Sequence, residues 1–122
     1  MHQLPPTFLH RLDTIINNHL HDENFSIEIL CKELTISYSH TYRKIRETTG
    51  FSPSMYVCRK RLEVACQLLT STEMSIGQIA FRVGFNTQAY FSKCFSEVYG
   101  CAPLQFRKQF GRGHKTSILA LS

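Results

Sequence analysis

The sequence predicts an all-α fold of about seven helices, in which two similar helical units flank one long central helix. Three observations carry that prediction. No stretch alternates apolar and polar residues for long enough to suggest a strand. Apolar residues recur at helical spacing between recognisable start and stop signals. The stretch SIEILCKELTIS, residues 26 to 37, returns as SIGQIAFRVGFN at 75 to 86.

The elements follow in order along the chain. Pro5 and Pro6 precede a first helix in which Phe8, Leu9, Leu12, Ile15, Ile16 and Leu20 keep a helical period, so it buries one stripe. Ser26 is placed to cap a short helix carrying Ile27, Leu30, Cys31 and Leu34, with Phe25 positioned to pack on Leu30 as a hydrophobic staple. Ser37 opens a further helix that runs to Gly50. Ser52 and Pro53 read as a cap and first-turn proline, starting the longest helix, from Pro53 to about Thr70. Met55, Leu62, Ala65, Cys66 and Leu69 line one of its sides and Val57, Val64 and Leu68 a second, so neighbours are expected on more than one face. The start of the next helix is specified twice, by a capping box of Ser75 with Gln78 and by a staple of Met74 with Ile79, and it runs to Val83. Another helix follows Asn86 and ends at Gly100; Pro103 starts a last one, ending near Phe110. The tail, 111–122, has no period that a core could use and is expected to be loose.

Composition narrows the class. With 43% hydrophobic and 19% charged residues the chain reads as ordinary globular protein. Its apolar runs are far too short for a membrane span, and its first twenty residues lack the pattern of a secretion signal, so a cytoplasmic protein is expected. The formal charge of +5 is unevenly placed: up to Ile36 two basic residues face five acidic ones, and from Ser37 onward twelve face four. Such a basic surface attracts polyanions, most commonly nucleic acid. Five cysteines, with no C-x-x-C pair, argue against a disulfide framework or a zinc site, and Cys31, Cys66 and Cys94 fall on apolar helix faces. His19 and His21 point to different sides of a helix, and no further ligand set accompanies them, so no metal or cofactor is expected. No Cys-His, paired-carboxylate or phosphate-cradling constellation survives placement on these helices, and no catalytic residue is assigned.

The internal repeat holds the function. At an offset of 49, Ser26 pairs with Ser75, Leu30 with Ile79, Cys31 with Ala80 and Leu34 with Val83; beyond the turn the offset is 50, pairing Arg43 with Lys93, Ile45 with Phe95 and Gly50 with Gly100. Each unit is a short helix, a tight turn and a second helix. Gly84 lies one residue past the last periodic position, where a left-handed conformation lets the chain reverse, and small Ala80 lets the second helix cross closely. This is the pattern of a helix-turn-helix, although a plain helical hairpin shares it. The second helices add chemistry. With Phe91, Cys94, Phe95 and Val98 facing the core, Ala89, Ser92, Lys93 and Ser96 share the opposite face, with Gln88 beside them; Ser39, Tyr42, Arg43 and Arg46 hold the same face in the first unit. Neither face contains an acid. Arg and Lys donate to guanine, Gln pairs with adenine, and Ala meets the thymine methyl. Ser37, Asn86 and Thr87 are candidate phosphate contacts. Arg59, Lys60 and Arg61 on the connector, with Arg107 and Lys108, suit either phosphate contact or surface ion pairs. A connector of some 18 residues is about 27 Å long, of the same order as the roughly 34 Å between successive major-groove turns.

SIGQIAFRVGFNTQAYFSKCFSEVYGCAPLQFRKQF resembles the C-terminal half of the AraC/XylS-type DNA-binding domain, matching at Ile76, Ile79, Ala80, Gly84, Phe85, Tyr90, Phe91, Ser92, Phe95, Gly100, Pro103, Phe106 and Arg107; RLEVACQLL looks like that family's connector. The resemblance covers about Phe8 to Phe110. It implies two helix-turn-helix subdomains, 7–50 and 74–110, joined by a linker helix, 53–70, in one domain, 7–110, of a transcription regulator that binds double-stranded DNA and touches RNA polymerase nearby. It also implies base-reading positions at Ser39, Tyr42 and Arg43, and at Gln88, Ala89, Ser92 and Lys93. The first unit departs from the pattern: Cys31 replaces an alanine, Thr35 the turn glycine, Thr41 a leucine and Ile45 a phenylalanine. Thr35 is β-branched and resists a left-handed turn, so the first reading helix is expected to be angled differently or held less firmly. YRKIRETTG is similar to versions of the domain at the output end of bacterial hybrid sensor and response-regulator proteins, which implies sensor, receiver or effector domains in a longer protein. The alternative reading is a helical interaction module whose basic faces meet acidic protein partners.

Overall fold

A computed structural model describes residues 7–111, which form seven helices and no strand among the described residues. These are α1 (Phe8–His19), α2 (Ile27–Leu34), α3 (Tyr38–Thr49), α4 (Pro53–Ser71), α5 (Ile76–Arg82), α6 (Gln88–Tyr99) and α7 (Pro103–Phe110). Of the tail expected to be loose, everything after Gly111 lies outside the described residues. The chain divides into two compact units between Lys60 and Arg61, inside α4. None of the described helices is long and apolar enough to cross a membrane.

In the first unit α2 packs on both α1 and α3. Its core is Leu12, Ile16, Leu20, Leu30, Leu34 and Ile45, joined by the fully buried Thr41. Asp13 of α1 ties down the start of α4, accepting from the Tyr56 hydroxyl at 2.6 Å and lying 3.5 Å from Lys60 Nζ. His19 at the end of α1 pairs with Glu33 of α2, and its ring stacks on Phe25 at 4.8 Å. Ser26 occupies the N-cap of α2 but makes no side-chain cap bond, contrary to expectation, although its carbonyl receives Leu30 N–H at 3.1 Å as at the capped helices. Met55, expected on a buried stripe of α4, is 46% exposed.

In the second unit α6 packs on both α5 and α7. Leu62, Ala65 and Leu69 of α4 are buried, as are Ile79, Ala80, Val83, Phe85, Phe91 and Phe95. An aromatic run fills much of this core, Phe85 meeting Phe91 at 5.3 Å and Phe95 meeting Phe106 at 5.4 Å, both edge-on. The edge-on geometry is the one favoured by ring quadrupoles. α5 starts as its sequence dictates: Ser75 Oγ accepts from Gln78 N–H at 3.1 Å, and Gln78 Oε1 accepts from Ser75 N–H at 2.9 Å.

Two basic residues that looked like surface cations are structural. Arg61 is only 8% exposed and donates to the carbonyl of Gly84 at the turn between α5 and α6. Arg107 of α7 donates to the Leu69 and Thr72 carbonyls at 3.0 and 3.3 Å, satisfying acceptors at the end of α4 that its own helix leaves open. Arg61, buried and engaged with backbone, does not fit a role as phosphate contact, and Arg107, half-buried, commits two of its donor nitrogens to backbone.

Candidate nucleic-acid interface

The two turns are built alike. In the second unit Gly84, at φ +92°, sends its N–H to Phe81 C=O at 3.0 Å, and Phe85 N–H reaches Ala80 C=O at 2.9 Å. In the first, Thr35 sends its N–H to Lys32 C=O at 3.2 Å and Ile36 N–H reaches Cys31 C=O at 3.3 Å. Both pairs close a Schellman end, which satisfies the last carbonyls of the first helix and turns the chain toward the second. Thr35 adopts the left-handed conformation (φ 57°, ψ 38°) despite its branched side chain, so the substitution leaves the path of the turn in place. Its cost is strain of about 1–2 kcal/mol and slightly longer bonds.

Beyond each turn a hydroxyl caps the second helix. Ser37 Oγ accepts from His40 N–H at 3.2 Å, and Thr87 Oγ1 from Tyr90 N–H at 3.1 Å. Each of these two phosphate-contact candidates therefore sits exposed at a helix N-terminus, where backbone N–H groups and the helix dipole favour an anion; Asn86 is exposed next to Thr87. Each second helix ends on a glycine in the left-handed region, Gly50 at φ +82° and Gly100 at φ +81°.

The predicted reading residues lie on the outward faces of these helices. On α3, Ser39, Tyr42, Arg43 and Arg46 are all exposed while Thr41 and Ile45 turn inward. On α6, Gln88, Ala89 and Lys93 are exposed and Ser92 is half-buried, while Phe91 and Phe95 turn inward. Sequence reasoning passed over Tyr38, which is 55% exposed at the first position of α3. The signal for it was present, since the offset of 50 pairs Tyr38 with Gln88. On the connector, Arg59 lies over the Phe51 ring at 4.7 Å and Lys60 is engaged with Asp13. Both are half-buried, so their charge is partly committed within the first unit.

The cysteines are free and half-buried. Burial pushes the Cys66 thiol above its ordinary range, which disfavours the thiolate a nucleophile would need. Among the described residues no group of His, Cys, Asp and Glu is arranged to hold a metal ion.

Residues 30–109 match the family model described as "Helix-turn-helix domain". The chain is 32% identical over 96 residues to histidine kinase P4 of Formosa agariphila, a stretch that is 79% of this chain and 7% of that protein. It also matches transcriptional regulators, spanning 31% to 38% of their lengths. Among solved structures, the C-terminal domain of the response regulator AraT from Geobacillus stearothermophilus superposes with a TM-score of 0.77 at 34% identity, covering 88% of each chain. The DNA-binding domain of AdpA, solved in complex with a target DNA, gives a TM-score of 0.72 at 26% identity, over 80% of this chain and 89% of that one. The chain belongs to the AraC-type family of helix-turn-helix domains.

Proposed function

We propose that this chain is the sequence-specific DNA-binding part of a bacterial transcription regulator, acting in the cytoplasm and inserting α3 and α6 into adjacent major-groove segments of one duplex. The observation that carries the reading is the pair of outward faces: two helices, each mounted behind a left-handed turn and a hydroxyl cap, present hydrogen-bonding side chains with no acid among them. Tyr38, Ser39, Tyr42, Arg43 and Arg46 form one contact set and Gln88, Ala89, Ser92 and Lys93 the other. Ser37, Asn86 and Thr87 hold flanking phosphates, and Arg59 is the better placed of the two connector candidates, because Lys60 already faces Asp13. The same proposal includes sensor, receiver or effector domains elsewhere in the full-length protein and a contact with RNA polymerase.

A gel shift with salt titration tests the reading. A protein making about six to ten phosphate contacts loses roughly 10³ to 10⁵ in affinity between 50 and 200 mM salt, and a sequence-specific one holds its selected duplex over a scrambled one throughout. Equal affinity for every duplex would sink the proposal and favour the interaction-module alternative, which the family membership does not support.

A further inference from the structure

The two reading helices are mounted alike but are unlike in charge and firmness, and we infer that they divide the work: α3 supplies most of the electrostatic affinity for the DNA backbone, and α6 most of the discrimination between bases. This rests on the DNA-binding reading above and assigns different roles to its two contact sets.

Charge is the first observation. α3 carries Arg43, Lys44 and Arg46 against Glu47, whereas α6 carries Lys93 against Glu97. Arg43 and Arg46 are exposed and belong to no ion pair among the described residues. Long flexible cations of this kind gain affinity by releasing counterions from phosphates, an effect indifferent to sequence. The face of α6 has short or neutral groups instead: Gln88, Ala89 and Ser92, with Lys93 the single cation. An amide, a methyl and a hydroxyl contribute little through charge but distinguish base edges by donor, acceptor and shape.

Firmness is the second, and it comes from different atoms. Base discrimination requires side chains held to within a fraction of an ångström, whereas attraction to phosphate tolerates slack. α6 is fixed by a glycine turn, by the Arg61 bond to the Gly84 carbonyl and by Phe91 and Phe95, both fully buried in the aromatic core. Gln88 Oε1 lies 3.0 Å from where a side chain on Gly77 would begin, so the glycine leaves room beside α5 for the amide. α3 hangs from the strained Thr35 turn with its longer 3.3 Å closing bond, and the place equivalent to Phe91 is filled by Thr41. Thr41 Oγ1 is buried with no hydrogen-bond partner among the described residues. The helix with the charge is the one behind the strained threonine turn, and the helix with the base-reading groups is the one behind the glycine turn and on the aromatic core.

The test uses a duplex selected from a random pool and a scrambled control, with the salt dependence of binding measured for each variant. For Arg43→Gln/Arg46→Gln, affinity for both duplexes falls together, their ratio stays within about threefold of wild type, and the slope of log K against log salt drops by about two. For Gln88→Ala the slope is unchanged and the ratio falls by roughly 5- to 150-fold. Circular dichroism of each variant confirms that these exposed substitutions leave the helices intact. The inference is overturned if the arginine pair removes selectivity while Gln88→Ala spares it, or if both variants lower the ratio equally. Wild-type protein that binds no duplex selectively would overturn the DNA-binding reading itself and this inference with it, an outcome recognisable before any variant is made.

Discussion

Thr41 offers a substitution whose sign is set by one atom. Its side chain is fully buried in the first unit, and its hydroxyl has no hydrogen-bond partner among the described residues. A buried polar group left unpaired costs about 1–3 kcal/mol. Thr41→Val keeps the branched shape, replaces the hydroxyl with a methyl and changes helix propensity little, so the first unit should gain about that amount. Amide hydrogen exchange reads the gain by segment: the buried amides of α2 and α3 should slow by roughly 5- to 150-fold. Amides of α6 serve as the internal reference. The companion Thr41→Ser retains the hydroxyl and loses the methyl, forfeiting about 0.8 kcal/mol of burial or more, and should speed the same exchange. If Val leaves α3 exchange unchanged or faster, the hydroxyl is satisfied in solution and the penalty assigned to it is wrong.

Other expectations follow from the second unit. Gly84→Val should lower its stability by about 1–2 kcal/mol or more, because a β-branched residue resists the φ of +92°; an unchanged melting temperature would refute the turn assignment. Arg61→Met should cost about 1–3 kcal/mol by leaving the Gly84 carbonyl without its donor, and thermal unfolding of the purified variant measures it. Lys93→Ala should relax preference at one base pair by about 1–3 kcal/mol, with an unchanged profile across all site variants removing Lys93 from the readout set. Since burial raises the Cys66 thiol, less thiolate is present at pH 8 in the folded chain than in the unfolded one. Alkylation at Cys66, followed by peptide mass mapping, should therefore be slower in buffer than in urea, and equal rates would count against its burial.

Local signals were the legible ones. The Ser75 and Gln78 box, the helix start at Ser37 and the glycine turn each depend on residues within a few positions of one another, and periodicity alone separates the inward Phe91 and Phe95 from the outward Gln88 and Lys93. Arg61 and Arg107 look like surface cations in the sequence because their partners lie 23 and 38 residues away and are backbone carbonyls, which no composition marks. A clue existed for Arg61: it shares the i, i+4, i+8 stripe of Ala65 and Leu69, both buried. The missing cap bond at Ser26 and the exposure of Met55 show the opposite failure, where a correct local pattern is present but the surrounding packing does not use it.

The repeat also explains how two copies of one plan can come to do different work. What the units share is backbone geometry: a 6→1 and a 5→2 bond at the turn, a hydroxyl cap three residues before the amide it receives, and a left-handed glycine at the far end. These bonds overdetermine the path, so a threonine is tolerated at the first turn for a cost of about 1–2 kcal/mol that the remaining contacts absorb. Outward side chains take no part in that geometry. They are therefore free to diverge, and α3 and α6 differ in charge, with Tyr42, Lys44 and Arg46 exposed on α3 where Ser92, Cys94 and Ser96 are half-buried on α6. The inward positions are less free, because replacing Phe91's counterpart with Thr41 and Phe95's with Ile45 removes ring area from the first unit's core. Loss of precision and gain of charge on the same helix are then compatible, since attraction to phosphate survives slack that base reading does not.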